Sequence, residues 1–324
     1  MMPLVRPTAI LAALAVVALA GCGGGSVTIP AASGAHAAGA SVARNPARAP
    51  STLTQLFVPD ATGAHVDVYD TSGNLQYAVP VPGDQPESLT TDATGALYVA
   101  LTDRSAVALF ARPANGKYVL LSDSGNYPVA AAVAPKSLLV AVANILSTSG
   151  GPGSVSFYER GKTKACANVS DATNFARVYF EAFDANGNLF VDGASAAGRT
   201  TVGEIAGGCG AKKIQPLVLK GVTLQFPGGV AVNVKNQIVV GDQQAGVLYT
   251  FAQPKGGSLG KPLATTPLRS GGTVGFALTK NGTDLWAASG YPGISEYAYP
   301  AGGTPVKSLA VGYGGIAVTP AETP

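Results

Sequence analysis

The chain has 324 residues, 47% hydrophobic and 12% charged, with a net charge of +3. Typical domains carry roughly 25% charged residues, and nucleic-acid binders show a basic run or stripe. Neither is found here, so the composition argues against a nucleic-acid partner. Glycine supplies 42 residues, which favours turns over surface helices.

The first predicted element is an export signal. Arg6 supplies positive charge, and an apolar run extends from Ala9 to Ala20. A membrane helix needs about 20 such residues, so this run reads as the core of a signal peptide. It ends in Leu19-Ala20-Gly21-Cys22, which resembles the lipobox of bacterial lipoproteins. The resemblance implies a signal peptide over residues 1–21, cleavage before Cys22 and a lipid on the Cys22 thiol. Gly23 stands where an Asp would suggest inner-membrane retention. The expected location is therefore the cell envelope, at the outer membrane or cell surface. Residues 22–50 are mostly Gly, Ala, Ser and Pro, a composition suited to a flexible tether. With Cys22 lipidated, Cys166 and Cys209 are left over. In an oxidising compartment such a pair is expected to bridge.

Beyond residue 50, short runs of Val, Ile, Leu, Tyr and Phe alternate with Gly, Pro, Asn and Asp. One kind of run recurs, ending at Asp60, Asp103, Asn144, Asp192, Asp242 and Ser289, with spacings of 41 to 50 residues. A period in the forties with four strands per unit predicts a β-propeller. The unit reads "PGGVAVN" (227–233), "QIVVGD" (237–242), "GVLYTFA" (246–252) and "KPLATTPL" (261–268). Entry is on "TQLFVPD" (54–60), a second strand, and exit on "GGIAVTPA" (314–321), a first strand. Residues 51–324 are thus predicted to form six blades, the last strand completing the first blade. This grammar resembles the NHL-repeat family, with its proline, glycine, "IAVD", "LYVAD", "VxVFD" pattern, over roughly residues 53–320. Trp286, mid-strand, is expected in the core.

Strand direction places two sets of residues on one loop face. After the second strands stand Asp60, Asp103, Asn144, Asp192, Asp242 and Ser289; before the first strands stand Asp84, Glu87, Asn126, Asn174 and Arg269. Two readings stand for the strand-end acids. They cap their own turns, or they converge as an oxygen-rich site. No cofactor is certain; Ca²⁺ suits a converging set. The gluconolactonase-like and paraoxonase-like propellers are metal-dependent lactonases built on Glu, Asn and Asp. Resemblance to them would make Glu87, Asn126, Asn144, Asn174, Asp103, Asp192 and Asp242 the metal or ligand candidates. Tyr127, Phe226, Tyr291 and Tyr313 fall near the same face and suit sugar or peptide recognition, unless they pack between blades.

Of the two histidines, His36 lies in the tether and His65 begins a third strand, where a surface turn residue is expected. "GGSLG" around Ser258 is not a nucleophile elbow, because it joins two strands and no His follows it. The leading expectation is a surface-tethered, monomeric, non-catalytic propeller that binds a protein, peptide or glycan. The rival is an extracytoplasmic metal-dependent hydrolase of the lactonase type. A third reading is a structural envelope protein.

Overall fold

The computed structural model describes residues 55–60, 63–70, 72–83, 86–269, 275–288, 293–310 and 315–319. The signal segment, Cys22 and the tether lie outside the described residues, as do Asp84, Ser289, Tyr291 and Tyr313.

Six small sheets form a ring, as the repeat predicts. Blade 1 holds Gln55–Pro59, His65–Tyr69 and Leu75–Pro80, with Ala317–Thr319 as its innermost strand. Blade 2 is Leu89–Thr91, Leu97–Leu101, Ala106–Phe110 and Val119–Ser122. Blade 3 is Asn126–Val133, Val140–Ser147, Ser154–Tyr158 and Ala167–Ser170. Blade 4 is Arg177–Phe183, Leu189–Ala194, Thr200–Ile205 and Gln215–Leu219. Blade 5 is Pro227–Val232, Ile238–Asp242, Val247–Phe251 and Ala264–Pro267; blade 6 is Gly275–Leu278, Asp284–Ala288, Ile294–Ala298 and Lys307–Leu309.

The unbroken apolar reading of the second strands follows from burial on both faces. Successive side chains on a strand point to opposite sides. Leu56 and Val58 therefore pack with Trp286 and Ile294 of blade 6, while Phe57 packs with Leu97, Val99 and Leu101 of blade 2. Every blade is thus sandwiched between two others, and Trp286 is buried there as expected.

Two features depart from the simple four-strand unit. Inner strands of blades 3, 4 and 5 carry bulges near their starts. Blade 4 also gains a fifth strand, Ser258–Gly260, which runs parallel to Gln215–Leu219. It comes from blade 5, whose long connection crosses over. Val218 N donates to Gly257 O at 2.9 Å and Lys220 N to Gly260 O at 2.9 Å. Edge amides that would face solvent are covered in this way.

Closure is by the C-terminal strand, with Gln55 opposite Thr319 and Phe57 opposite Ala317. The Cys166–Cys209 disulfide is present. Cys166 stands immediately before the outer strand of blade 3, and Cys209 lies in a one-turn helix, Gly208–Gly210, before the outer strand of blade 4. The bridge staples two blades across a sequence separation of 43 residues. Replacing both cysteines by serine is expected to remove about 3 kcal/mol of stability, read as a lower midpoint in chemical denaturation. Among the described residues, no helix is long and apolar enough to cross a membrane.

Candidate functional site

Register places the start of each inner strand against the end of its second strand. Asn126 faces Ser147, Arg177 faces Ala194, Pro227 faces Asp242 and Gly275 faces Ala288. These pairs mark one mouth of the ring. Behind it, all six inner strands surround a cavity of about 160 Å³, lined largely by small residues such as Ala130, Ala182, Gly229 and Ala277.

Two of the strand-end acids, Asp192 and Asp242, sit at this mouth and are turned into the backbone. Asp192 is fully buried. Its Oδ1 accepts from Phe180 N at 2.9 Å, within the bulge of its own blade, and its Oδ2 accepts from Gly228 N of blade 5 at 3.2 Å. Burial pushes its carboxyl up to about 8, against the opposing pull of these amides. Asp242, also buried, accepts from Gln225 N at 2.8 Å, Phe226 N at 3.3 Å and Ala245 N at 3.1 Å. Bulging frees the Phe180 and Gly228 amides from the ladder, and Asp192 takes them up, whereas Asp242 holds amides just before its partner strand and in the following turn. Close approach of the strands is why Gly193 and Gly241 adjoin these acids. A Cβ on Gly193 would collide with Arg177 O, and one on Gly241 with Gly228 O. The local turn capping that strand-end acids suggest is only part of the arrangement: Asp192 ties two blades together.

Of the other candidates, Asn126 and Asn144 meet indirectly through Asp123 and Ser156, and the rest do not join them. Asn144 is buried and donates to Ser154 Oγ at 3.3 Å and Ser156 Oγ at 3.2 Å, inside its own blade. Asn126 donates to Asp123 Oδ1 at 2.8 Å. Asn174 donates to Asp171 Oδ2 at 2.8 Å in a local turn. Glu87 is half-buried, and its carboxyl is raised by burial and by the charge of Asp103, which is exposed in the one-turn helix Thr102–Arg104. Arg269 is exposed. Ser258 Oγ donates to Val218 O at 2.9 Å, within the added strand.

Two acids that the repeat pattern does not single out are Asp123 and Glu181. Glu181 lies on the inner strand of blade 4 and reaches into blade 3, accepting from Ala143 N at 2.8 Å. Burial, then the charges of Asp123 and Asp192, raise its carboxyl well above the usual range. Asp123 Oδ1 accepts from Ser156 Oγ at 2.8 Å. Glu181 Oε2, Asp123 Oδ2 and Asn144 Oδ1 are buried without a hydrogen bond. A lone Glu in the apolar run "VYFEAF" was the available signal for Glu181.

Aromatic residues gather at blades 4 and 5. Phe226, at the head of the blade 5 inner strand, keeps 37% of its surface exposed. Its ring lies 5.8 Å from that of Tyr179, tilted by 58°. Tyr179 is half-buried, and its phenol is raised by burial against the opposing charge of Arg177. Tyr127 is half-buried at the start of the blade 3 inner strand. Tyr179 carries no sequence signal, because only the neighbouring Phe226 makes it part of a surface.

His65 does begin the third strand of blade 1, as expected, but it is no isolated surface residue. Its Nε2 lies 3.0 Å from Asp60 Oδ2 and 3.3 Å from Asp67 Oδ1.

No protein-family model matches the chain, and no curated protein matches it. Among solved structures it is similar to a protein of unknown function from Bacteroides caccae, with a TM-score of 0.61. That likeness covers 82% of this chain and 99% of the other at 13% identity, and it bears on the fold alone.

Proposed function

We propose that this chain is an extracytoplasmic, lipid-anchored, non-catalytic propeller of NHL-like type that binds a glycan or peptide at its loop face. The observation that carries this reading is the Tyr179–Phe226 ring pair at the mouth, with Phe226 open to solvent. Flat aromatic surfaces supply rigid contact area for sugar rings and peptide side chains. The Leu-Ala-Gly-Cys segment and the disulfide support an anchored, oxidising location. Binding ranks above lactone hydrolysis because Asp192 and Asp242 are engaged by backbone amides, and because fold likeness alone does not carry chemistry.

The test titrates the full chain against panels of oligosaccharides and peptides. Phe226→Ala is expected to weaken binding about tenfold, the size of an aromatic contact worth roughly 1.4 kcal/mol. Affinity unchanged in that variant would remove the aromatic face from the reading. Turnover of a lactone panel, lost on chelation, would replace the whole proposal with the hydrolase.

A further inference from the structure

We propose that Asp60, His65 and Asp67 form a binding site for a divalent transition-metal ion, zinc first, at the turn between the second and third strands of blade 1. Asp60 follows the second strand of blade 1, His65 opens the third strand, and Asp67 stands two residues further along it. Asp60 N donates to His65 O at 3.1 Å, which closes the connection between the second and third strands. Alternation along His65–Tyr69 then puts His65 and Asp67 on the same side.

Both carboxylates converge on one nitrogen. Asp60 Oδ2 and Asp67 Oδ1 lie 3.0 and 3.3 Å from His65 Nε2. One N–H serves one acceptor well, whereas a metal in the middle serves all three. Bonds of about 2.0–2.2 Å to nitrogen and oxygen place adjacent ligands roughly 2.9–3.4 Å apart at octahedral to tetrahedral angles. Both observed separations fall in that interval.

The surroundings hold the ligands in place. His65 lies over Gly63, where a Cβ would come within 2.6 Å of ring atoms Nδ1 and Cε1 and 3.4 Å from Asp60 Oδ2. The turn therefore keeps the space that the imidazole fills. Tyr69 OH donates to Asp67 Oδ2 at 3.2 Å, leaving Oδ1 directed at the histidine. Such outer hydrogen bonds orient ligand carboxylates. The side chains are 33%, 24% and 19% exposed for His65, Asp60 and Asp67, so an ion reaches them without unfolding the blade.

One imidazole and two carboxylates select the class of ion. Calcium and magnesium favour all-oxygen sites, whereas a mixed nitrogen and oxygen set suits zinc and its neighbours. Two carboxylates also balance the charge of a divalent ion. The site is in blade 1 and shares no residue with the Tyr179–Phe226 surface, so it stands apart from the ligand-binding proposal.

The test uses the full chain, stripped by chelation and titrated with Zn²⁺ by calorimetry, then with Co²⁺ by visible absorption. Expected are saturable one-to-one binding of Zn²⁺ and d–d bands of Co²⁺, both lost in His65→Ala. Zinc affinity should fall at least tenfold in Asp60→Asn and Asp67→Asn, and about tenfold in Tyr69→Phe. His36→Ala should bind as the parent chain does. Metal-free denaturation midpoints show whether each variant folds; should His65→Ala not fold, the two Asn variants decide. The proposal is overturned if Zn²⁺ fails to bind, if it binds equally after these substitutions, or if Ca²⁺ is bound in preference.

Discussion

Asp192→Ala is expected to cost about 4 kcal/mol of folding stability. Substitution leaves Phe180 N and Gly228 N buried without their acceptor. Each orphaned buried group costs roughly 1–3 kcal/mol, and the removed carboxylate leaves a void between blades 4 and 5. Asp192→Asn keeps one acceptor oxygen and should lose less than half as much. Chemical denaturation of both variants reads the difference. A loss below about 1 kcal/mol in the alanine variant would mean that these two amides find other partners, and that the carboxylate is not what joins the blades.

Stability is also expected to fall by several kcal/mol as pH rises from about 5 to about 8. Asp192 is pushed up to about 8 and Glu181 well above its ordinary value, in both cases first by burial. The folded chain therefore keeps protons that the unfolded chain releases above roughly pH 4. Where the unfolded state binds fewer protons, each rise in pH favours unfolding. This contribution is fully present below the unfolded carboxylate pKa and is lost as pH climbs to the folded value. A tenfold change in proton affinity is worth about 1.4 kcal/mol. Glu181→Gln should flatten the profile and raise stability at pH 8 relative to the parent. Denaturation midpoints measured across that range decide it: a profile that rises with pH, or one that Glu181→Gln leaves unchanged, contradicts the assignment.

Period and punctuation made the ring readable, because each blade repeats one short grammar of turns and apolar runs. Even the swap of the last strand into blade 1 followed from entry on "TQLFVPD" and exit on "GGIAVTPA". Side-chain direction was not readable. Asp192 and Asp242 look like turn caps or metal ligands in one dimension, and only the folded strands reveal the amides they satisfy. The blade 5 bulge is signalled by Gly228-Gly229, but the blade 4 bulge, at Val178–Glu181, carries no glycine. Glu181 acts across a blade boundary on Ala143, a contact 38 residues away in sequence. His65 reads as a surface turn residue in the sequence, although Asp60 and Asp67 lie within five residues of it. The fifth strand, Ser258–Gly260, was hidden because nothing in blade 5's sequence says that its connection leans on blade 4.

The seam in blade 1 sets an order of events. Gln55–Pro59 finds its inner neighbour only when Ala317–Thr319 arrives, and nearly the whole ring of chain lies between them. A chain that folds from its N-terminus therefore carries an unsealed sheet edge until residues 317–319 join blade 1. Sealing is a single late event, and until it happens the five other blades form an open arc. Any premature stop upstream of residue 317 would yield not a slightly shorter propeller but one with a permanently sticky rim, ready to pair with a second chain in the same condition.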